Sequence, residues 1–288
     1  MKRLLVALLL VCAVASHAAD KKKIVFLAGT PSHGPREHEF NAGCLLLQKC
    51  LANQPGMEVV VNLNGWPKDE HIFDGAAAVF IYCDGGDGHL AIQGDHLQKL
   101  GALMKKGVGL GCAHYGVEVP KDKGGPEFLA WTGGYFEAYW SVNPTWTANY
   151  TELPKHPITR GVHPFSIHDE WYFHMRFPVG MKGVTPILVA IAPESTMDRP
   201  DDAHAGNPAV RAEVKNHVPQ VMMWATERPD GGRGFGFTGG HYHKNWANDD
   251  FRKLVLNAIL WSAKVPVPEN GVASTVTPED LKQNLDPK

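Results

Sequence analysis

From Lys22 onward, short apolar runs alternate with segments whose apolar residues recur every three or four positions. Residues 24–28, 57–63, 76–82 and 107–113 are runs of strand length and predict four strands. Between them, 39–52 places Phe40, Leu46, Leu47 and Leu51 at helical spacing, and 95–106 does the same with Leu97, Leu100, Leu103 and Met104. Strands that are apolar throughout, separated by helices, indicate an α/β fold with a mainly parallel sheet covered on both faces. The second half is less regular. Residues 135–150 are rich in aromatics and Thr and read as an extended insertion over the sheet, while 186–192, 218–226 and 234–238 are further strand candidates. An amphipathic helix over 249–263, with Phe251, Leu254, Val255, Ala258, Ile259 and Trp261, closes one domain spanning 19–265. The prolines and alternating charge of 266–288 predict a loosely packed tail.

The N-terminus changes the picture of where the protein works. Lys2 and Arg3, an apolar stretch over 4–15 and Ser16-His17-Ala18 have the layout of a signal peptide, residues 1–18. The stretch is shorter than the roughly 20 residues of a spanning helix. The expectation is a periplasmic or secreted protein with no membrane segment after signal removal. Val11 before Cys12 argues against a lipoprotein anchor. The remaining cysteines, Cys44, Cys50, Cys83 and Cys112, lack zinc-finger spacing and read as buried free thiols, with one long-range disulfide as the alternative. A formal charge of −2, from 28 basic and 30 acidic residues, gives no footprint for nucleic acid or an anionic membrane. A homo-oligomer is left open. The 15 histidines are the first hint of chemistry.

In an open parallel sheet, ligands bind beyond the carboxyl ends of the strands. Polar clusters stand there: Ser32 to Glu39, Asp84 to His89, His114-Tyr115-Gly116 and Gly239 to His243. His33, His38, His114 and His241 are the candidate ligands of a divalent metal ion, zinc first, because neutral imidazoles plus an open position make a catalytic site. If 241–243 is extended, His241 and His243 face opposite ways and at most one enters the site. His156, His163, His204 and His217 read as loop residues. Asp169-Glu170-Trp171-Tyr172 sets two acids among aromatics, which suits sugar hydroxyls and sugar C–H faces. Glu170 is the candidate base. Asp169 would orient a histidine or protonate a leaving oxygen, with His114 the third candidate in the chemistry. Arg36, Tyr115, Trp171, Tyr172 and His243 are the candidate substrate contacts. In Gly111-Cys112-Ala113-His114-Tyr115-Gly116, alignment on Gly116 as a nucleophile elbow puts His114 at the nucleophile position and Cys112 inside the strand.

These segments, with His-Pro-Ile-Thr-Arg-Gly (156–161), Asp-Glu-Trp-Tyr (169–172) and Gly-Arg-Gly-Phe-Gly-Phe-Thr-Gly-Gly-His-Tyr-His (232–243), resemble the ThuA-like, or trehalose-utilisation, family of the class I glutamine-amidotransferase-like superfamily. The resemblance spans about residues 23–263. It implies a flavodoxin-like doubly wound sheet, a histidine in place of the superfamily nucleophile, and a role in carbohydrate catabolism beside dehydrogenases that make 3-keto-glycosides. The expected function is metal-dependent cleavage of an oxidised glycoside by elimination or hydrolysis. The alternative is a carbohydrate-binding protein that transforms nothing. The aromatic insertion (131–150) and the polar loop 194–217 depart from simpler members and are expected to reshape the cleft.

Overall fold

A computed structural model describes residues 21–288; the expected signal peptide lies outside them. In chain order the main elements are β1 (Lys22–Ala28), α1 (Phe40–Leu51), β2 (Met57–Asn62), β3 (Ala76–Tyr82), α2 (His96–Met104), β4 (Gly109–Ala113), α3 (Gly125–Trp131), β5 (Thr145–Tyr150), β6 (Phe165–Glu170), β7 (Val184–Ala190), α4 (Pro208–Lys215), β8 (Gln220–Glu227), β9 (Arg233–Phe237) and α5 (Asp249–Ser262). Seven strands form one sheet in the order β2-β1-β3-β4-β9-β8-β7. Strands β1 to β4 and β9 run parallel, and β8 is antiparallel to both neighbours. The order 2-1-3-4 is the flavodoxin-like one, with its topological switch between β1 and β3.

Alternation along β1 shows why its run is apolar throughout. Ile24, Phe26 and Ala28 belong to one core layer with Phe40 and Leu47 of α1 and Leu254 of α5. Val25 and Leu27 point into the other, with Leu100 and Met104 of α2 and Phe128 of α3. The insertion contributes β5, which pairs antiparallel with β6 and whose inward residues Trp146, Ala148 and Tyr150 join the α1–α5 layer. All four described cysteines are buried and free. Cys112 lies within β4, as the elbow alignment predicts.

The segment after Val265 is held more firmly than its composition suggests. Val265, Val267 and Val272 are buried, the Val272 N–H donates to Asn257 Oδ1 (2.9 Å), and Arg160 donates to the Val267 carbonyl (2.6 Å). Farther on, Asp286 N–H donates to Glu39 Oε2 (2.7 Å) and Lys288 donates to the Glu37 carbonyl (2.5 Å). The segment's scattered apolar and polar groups find partners on α5, on the β1–α1 loop and at Arg160. No helix among the described residues is long and apolar enough to cross a membrane.

Candidate functional site

The carboxyl ends of β1, β3, β4 and β9 meet at one edge of the sheet, where the β6 end also arrives. His38 comes from the loop after β1, His114 from the first position after β4, and His241 from the loop after β9. Their side-chain nitrogens converge: His38 Nε2 is 3.0 Å from His114 Nε2 and 3.1 Å from His241 Nδ1, and the last two are 3.3 Å apart. Glu170 Oε2, at the end of β6, is 3.2 Å from His241 Nδ1 and 3.5 Å from His114 Nε2.

Backbone strain accompanies this convergence. His38 (φ 45°) and His114 (φ 51°) sit in the left-handed region, as do His33 and Arg36. Residues with a Cβ pay about 1–3 kcal/mol for such conformations, and native structures tolerate them mainly where the surroundings enforce a function. At His114 the sharp turn out of β4 aims the ring across the sheet edge, as a nucleophile elbow would aim its nucleophile.

Partners around the ring fix the tautomers. His38 Nδ1 lies 2.9 Å from Asp84 Oδ1, and His114 Nδ1 lies 3.0 Å from the Thr238 carbonyl. Carboxylate and carbonyl oxygens only accept, so both Nδ1 atoms carry the proton. Both Nε2 atoms therefore present lone pairs to each other at 3.0 Å, with no proton between them. The nearby donors are the Tyr172 hydroxyl, 3.2 Å from His114 Nε2, and His241, which leans on Glu170. Protonation does not relieve the contact. Burial, then the neighbouring His33 and His241, pushes His38 down to about 2, and burial followed by His38 holds His114 well below the usual imidazole range. For His241 burial works downward, but the hydrogen bond and charge of Glu170 outweigh it and the ring ends up above its ordinary value. Burial of Glu170 is likewise outweighed, by His241 and His114, and its carboxyl ends up lowered.

Asp169, adjacent in sequence, does something different. It is fully buried and accepts the N–H groups of Gly240 (2.8 Å) and His241 (3.1 Å). It thus pins the loop that delivers His241 and stays out of the cavity. Gly240 has φ 110°, a conformation that favours glycine, and its carbonyl accepts the Tyr82 hydroxyl.

In front of the cluster lies a cavity of about 310 Å³, lined by His33, Tyr115, Glu170 and Tyr172 together with Asn143, Arg199, Asp202 and His204. Several expected residues are elsewhere. His33 stacks on His38 (3.5 Å between ring centres) and turns Nδ1 toward Ser32 and Asp84, away from the three converging nitrogens. Trp171 is no sugar platform: it is wholly buried against Phe237, Phe251 and Tyr150. A side chain at Gly239 would stand 2.6 Å from its ring, so the glycine makes room for the indole. His243 is buried away from the cavity, as the alternation argument requires for one of the pair, and Arg36 is exposed. Conversely, Glu118, Asn143, Arg199 and His204 line or back the cavity without a signal of their own in the sequence. The one pointer is that Asn143, Arg199 and His204 fall inside the two stretches expected to reshape the cleft.

Fold and site together define a flavodoxin-like α/β protein whose elbow position carries a histidine inside a buried cluster of three imidazoles and a carboxylate. The trehalose-utilisation (ThuA) family model matches residues 23–262, and the chain belongs to that family. Among solved structures, a ThuA-like protein from Bacteroides uniformis ATCC 8492 superposes with a TM-score of 0.60 at 15% identity, covering 87% of this chain and 95% of its own. A second, from Parabacteroides merdae ATCC 43184, gives a TM-score of 0.57 at 13% identity, covering 91% and 99%. At these identities the likeness is one of fold. No curated protein matches the chain by sequence.

Proposed function

We propose that this protein is an exported, metal-dependent enzyme of carbohydrate catabolism that cleaves the glycosidic C–O bond of a 3-keto-glycoside or related oxidised sugar. The observation that carries the reading is the His38–His114 contact, two imidazole lone pairs facing each other at 3.0 Å with their protons committed elsewhere. Such an arrangement is repulsive on its own and becomes favourable around a cation. The ligand set is His38 Nε2, His114 Nε2, His241 Nδ1 and Glu170 Oε2, whose atoms lie within 4.8 Å of one another. Nitrogen separations of 3.0–3.3 Å approach the edges of about 3.3 Å that a tetrahedron with bonds of about 2.0–2.1 Å has, which favours zinc. Bound there, a divalent ion supplies Lewis acidity toward a sugar carbonyl or hydroxyl.

The chain's own groups do the rest. Asp84 and the Thr238 carbonyl keep two imidazoles in the ligating tautomer. Asp169 holds the His241 loop in place. The hydroxyls of Tyr115 and Tyr172 and the Asn143 amide face the cavity and suit sugar hydroxyls. Glu170 belongs to the ligand set rather than serving as the free base, because its Oε2 is engaged by His241 and its Oε1 accepts from Asn143 (3.2 Å).

The test is metal content by plasma mass spectrometry on mature protein, wild type beside His114→Ala, followed by turnover of a 3-keto-glycoside panel. Near-stoichiometric metal that falls in the variant, with product release by the wild type, supports the reading. A wild type that stays metal-free after divalent ions are added back overturns the metal site. Saturable binding without product would make the protein a carbohydrate binder.

A further inference from the structure

The cavity has a second chemical wall that the imidazole cluster leaves unused. His204 arrives on the loop between β7 and α4 with Nε2 2.9 and 3.1 Å from the two oxygens of Glu118. Glu118 is 3% exposed, and among the described residues its carboxylate has no other hydrogen-bond partner. An acceptor-only partner places the proton on Nε2 and leaves the lone pair on Nδ1. The ring stacks on Phe136 (5.3 Å, 24°), and the His204 carbonyl accepts the Asn143 N–H (3.0 Å) and Arg199 Nη2 (2.9 Å). The imidazole is thus fixed by a stack, a buried carboxylate and its own backbone, while 36% of its side chain remains exposed and it lines the same cavity as Glu170 and Tyr172. A histidine oriented by a buried carboxylate and open at the other nitrogen is equipped for proton transfer. With Glu170 engaged by the cluster, the other carboxylate lining the cavity is Asp202, which is exposed and accepts the neighbouring Ala203 N–H, and no buried partner orients it as Glu118 orients His204.

We propose that His204 is the proton-transfer residue for the sugar held in this cavity, with Glu118 as its positioning residue. The proposal rests on the keto-glycoside reading above. His204 Nδ1 takes the proton from the carbon beside the keto group. The C–H electron pair becomes the new C=C bond, the glycosidic C–O pair leaves with its oxygen, and the proton on Nδ1 passes to that oxygen. The products are an enone sugar and an alcohol, and no oxidant or reductant is consumed.

The charged and titratable groups around His204 are Glu118 and Tyr115 from the segment after β4, Asp202 and Arg199 from its own loop, Glu170 and Tyr172 at and just after the end of β6, and His33 from the loop after β1. The Glu118 hydrogen bond raises the imidazole above its ordinary range against the pull of burial. The base must be neutral, so turnover falls as pH drops through the His204 pKa. Removing the carboxylate charge shifts that acid limb to lower pH.

The experiment is steady-state kinetics on nitrophenyl and methyl 3-keto-glucosides for wild type, His204→Gln, His204→Ala and Glu118→Gln, with metal content measured on each. The expected result is a kcat lowered by roughly 10²–10⁴ in His204→Gln, KM within a few-fold, metal content unchanged and partial rescue of His204→Ala by added imidazole. Glu118→Gln lowers kcat by about tenfold and moves the acid limb to lower pH, which a purely structural role would not do. An active wild type whose variants stay within about threefold, or lose activity only in step with metal, overturns the proposal. A wild type inert on both sugars overturns the keto-glycoside reading, and this step falls with it. The two failures are distinguishable because only the first has an active wild type.

Discussion

The two edges of the sheet hold polar cavities of opposite character. At the edge where β9 begins, a groove of about 530 Å³ is larger than the cavity over the histidines, and it includes Arg233, Glu227, Trp261 and His156. Its charges are settled. Arg233 Nε donates to Glu227 (3.1 Å), Nη1 donates to the Trp261 carbonyl (3.1 Å), and the guanidinium lies over the Trp261 ring. His156 accepts the Ile158 N–H as a helix cap. At the edge where β4 and β9 end, lone pairs confront lone pairs and four non-glycine residues near them hold positive φ. Volume therefore does not mark the site. Polar groups that the protein leaves unreconciled, held in place by buried partners, do.

The contrast is tested most severely by truncating one polar side chain at each edge. His38→Ala should abolish metal retention, whereas Arg233→Ala should leave it at the wild-type level, both read by plasma mass spectrometry after gel filtration. Equal metal in the two variants would erase the distinction. Next in size is a change that leaves the ligands alone. Trp171→Ala empties a wholly buried site beneath Gly239 and should cost roughly 3–5 kcal/mol in urea unfolding. A cost under about 1 kcal/mol would return Trp171 to the cavity as a sugar contact.

Trp171 also shows where sequence patterns mislead. Acid-acid-aromatic-aromatic reads as a sugar site, yet the chain alternates past the end of β6, sending Asp169 and Trp171 inward and Glu170 and Tyr172 toward the cluster and cavity. The parallel strands were legible because burial on both faces forces unbroken apolar runs, and β1 and β3 agree with their predicted spans to within two residues. The histidines at strand ends were legible through the rule that such sheets bind ligands there. The split of His241 from His243 was legible because extended chain alternates. Glu118 and His204 were not. They stand 86 positions apart on irregular segments, so no periodicity links them, and only packing of the long loop over the β4 turn brings them together. The expected loose tail failed for a related reason: partners such as Asn257 and Glu39 are distant in sequence.

A smaller effect separates a ligand from its support. Asp84 touches His38 on the nitrogen facing away from the cluster, and burial lifts its carboxyl while Ser32 Oγ, donating at 2.9 Å, works the other way. Asp84→Asn keeps the shape but weakens the preference for the Nδ1–H tautomer. Metal affinity should fall about 10–100-fold in chelator competition, with the folded state unchanged. A variant as metal-poor as His38→Ala would make Asp84 itself a ligand, shared with His33, whose Nδ1 lies 3.7 Å away.

The smallest effect belongs to the settled edge. Glu227 is 68% exposed, and its pair with Arg233 is an exposed ion pair of the kind that contributes at most about 1 kcal/mol. The Arg233 guanidinium keeps its contacts with the Trp261 carbonyl and ring when the carboxylate is neutralised. Glu227→Gln should therefore shift urea stability by no more than about 0.5 kcal/mol, with metal content and turnover at wild-type levels. Because the groove's charges already satisfy one another, removing one has little to propagate. A loss of turnover with stability intact would show instead that this edge takes part in the chemistry, and the larger groove would have to be read as a second substrate-binding region.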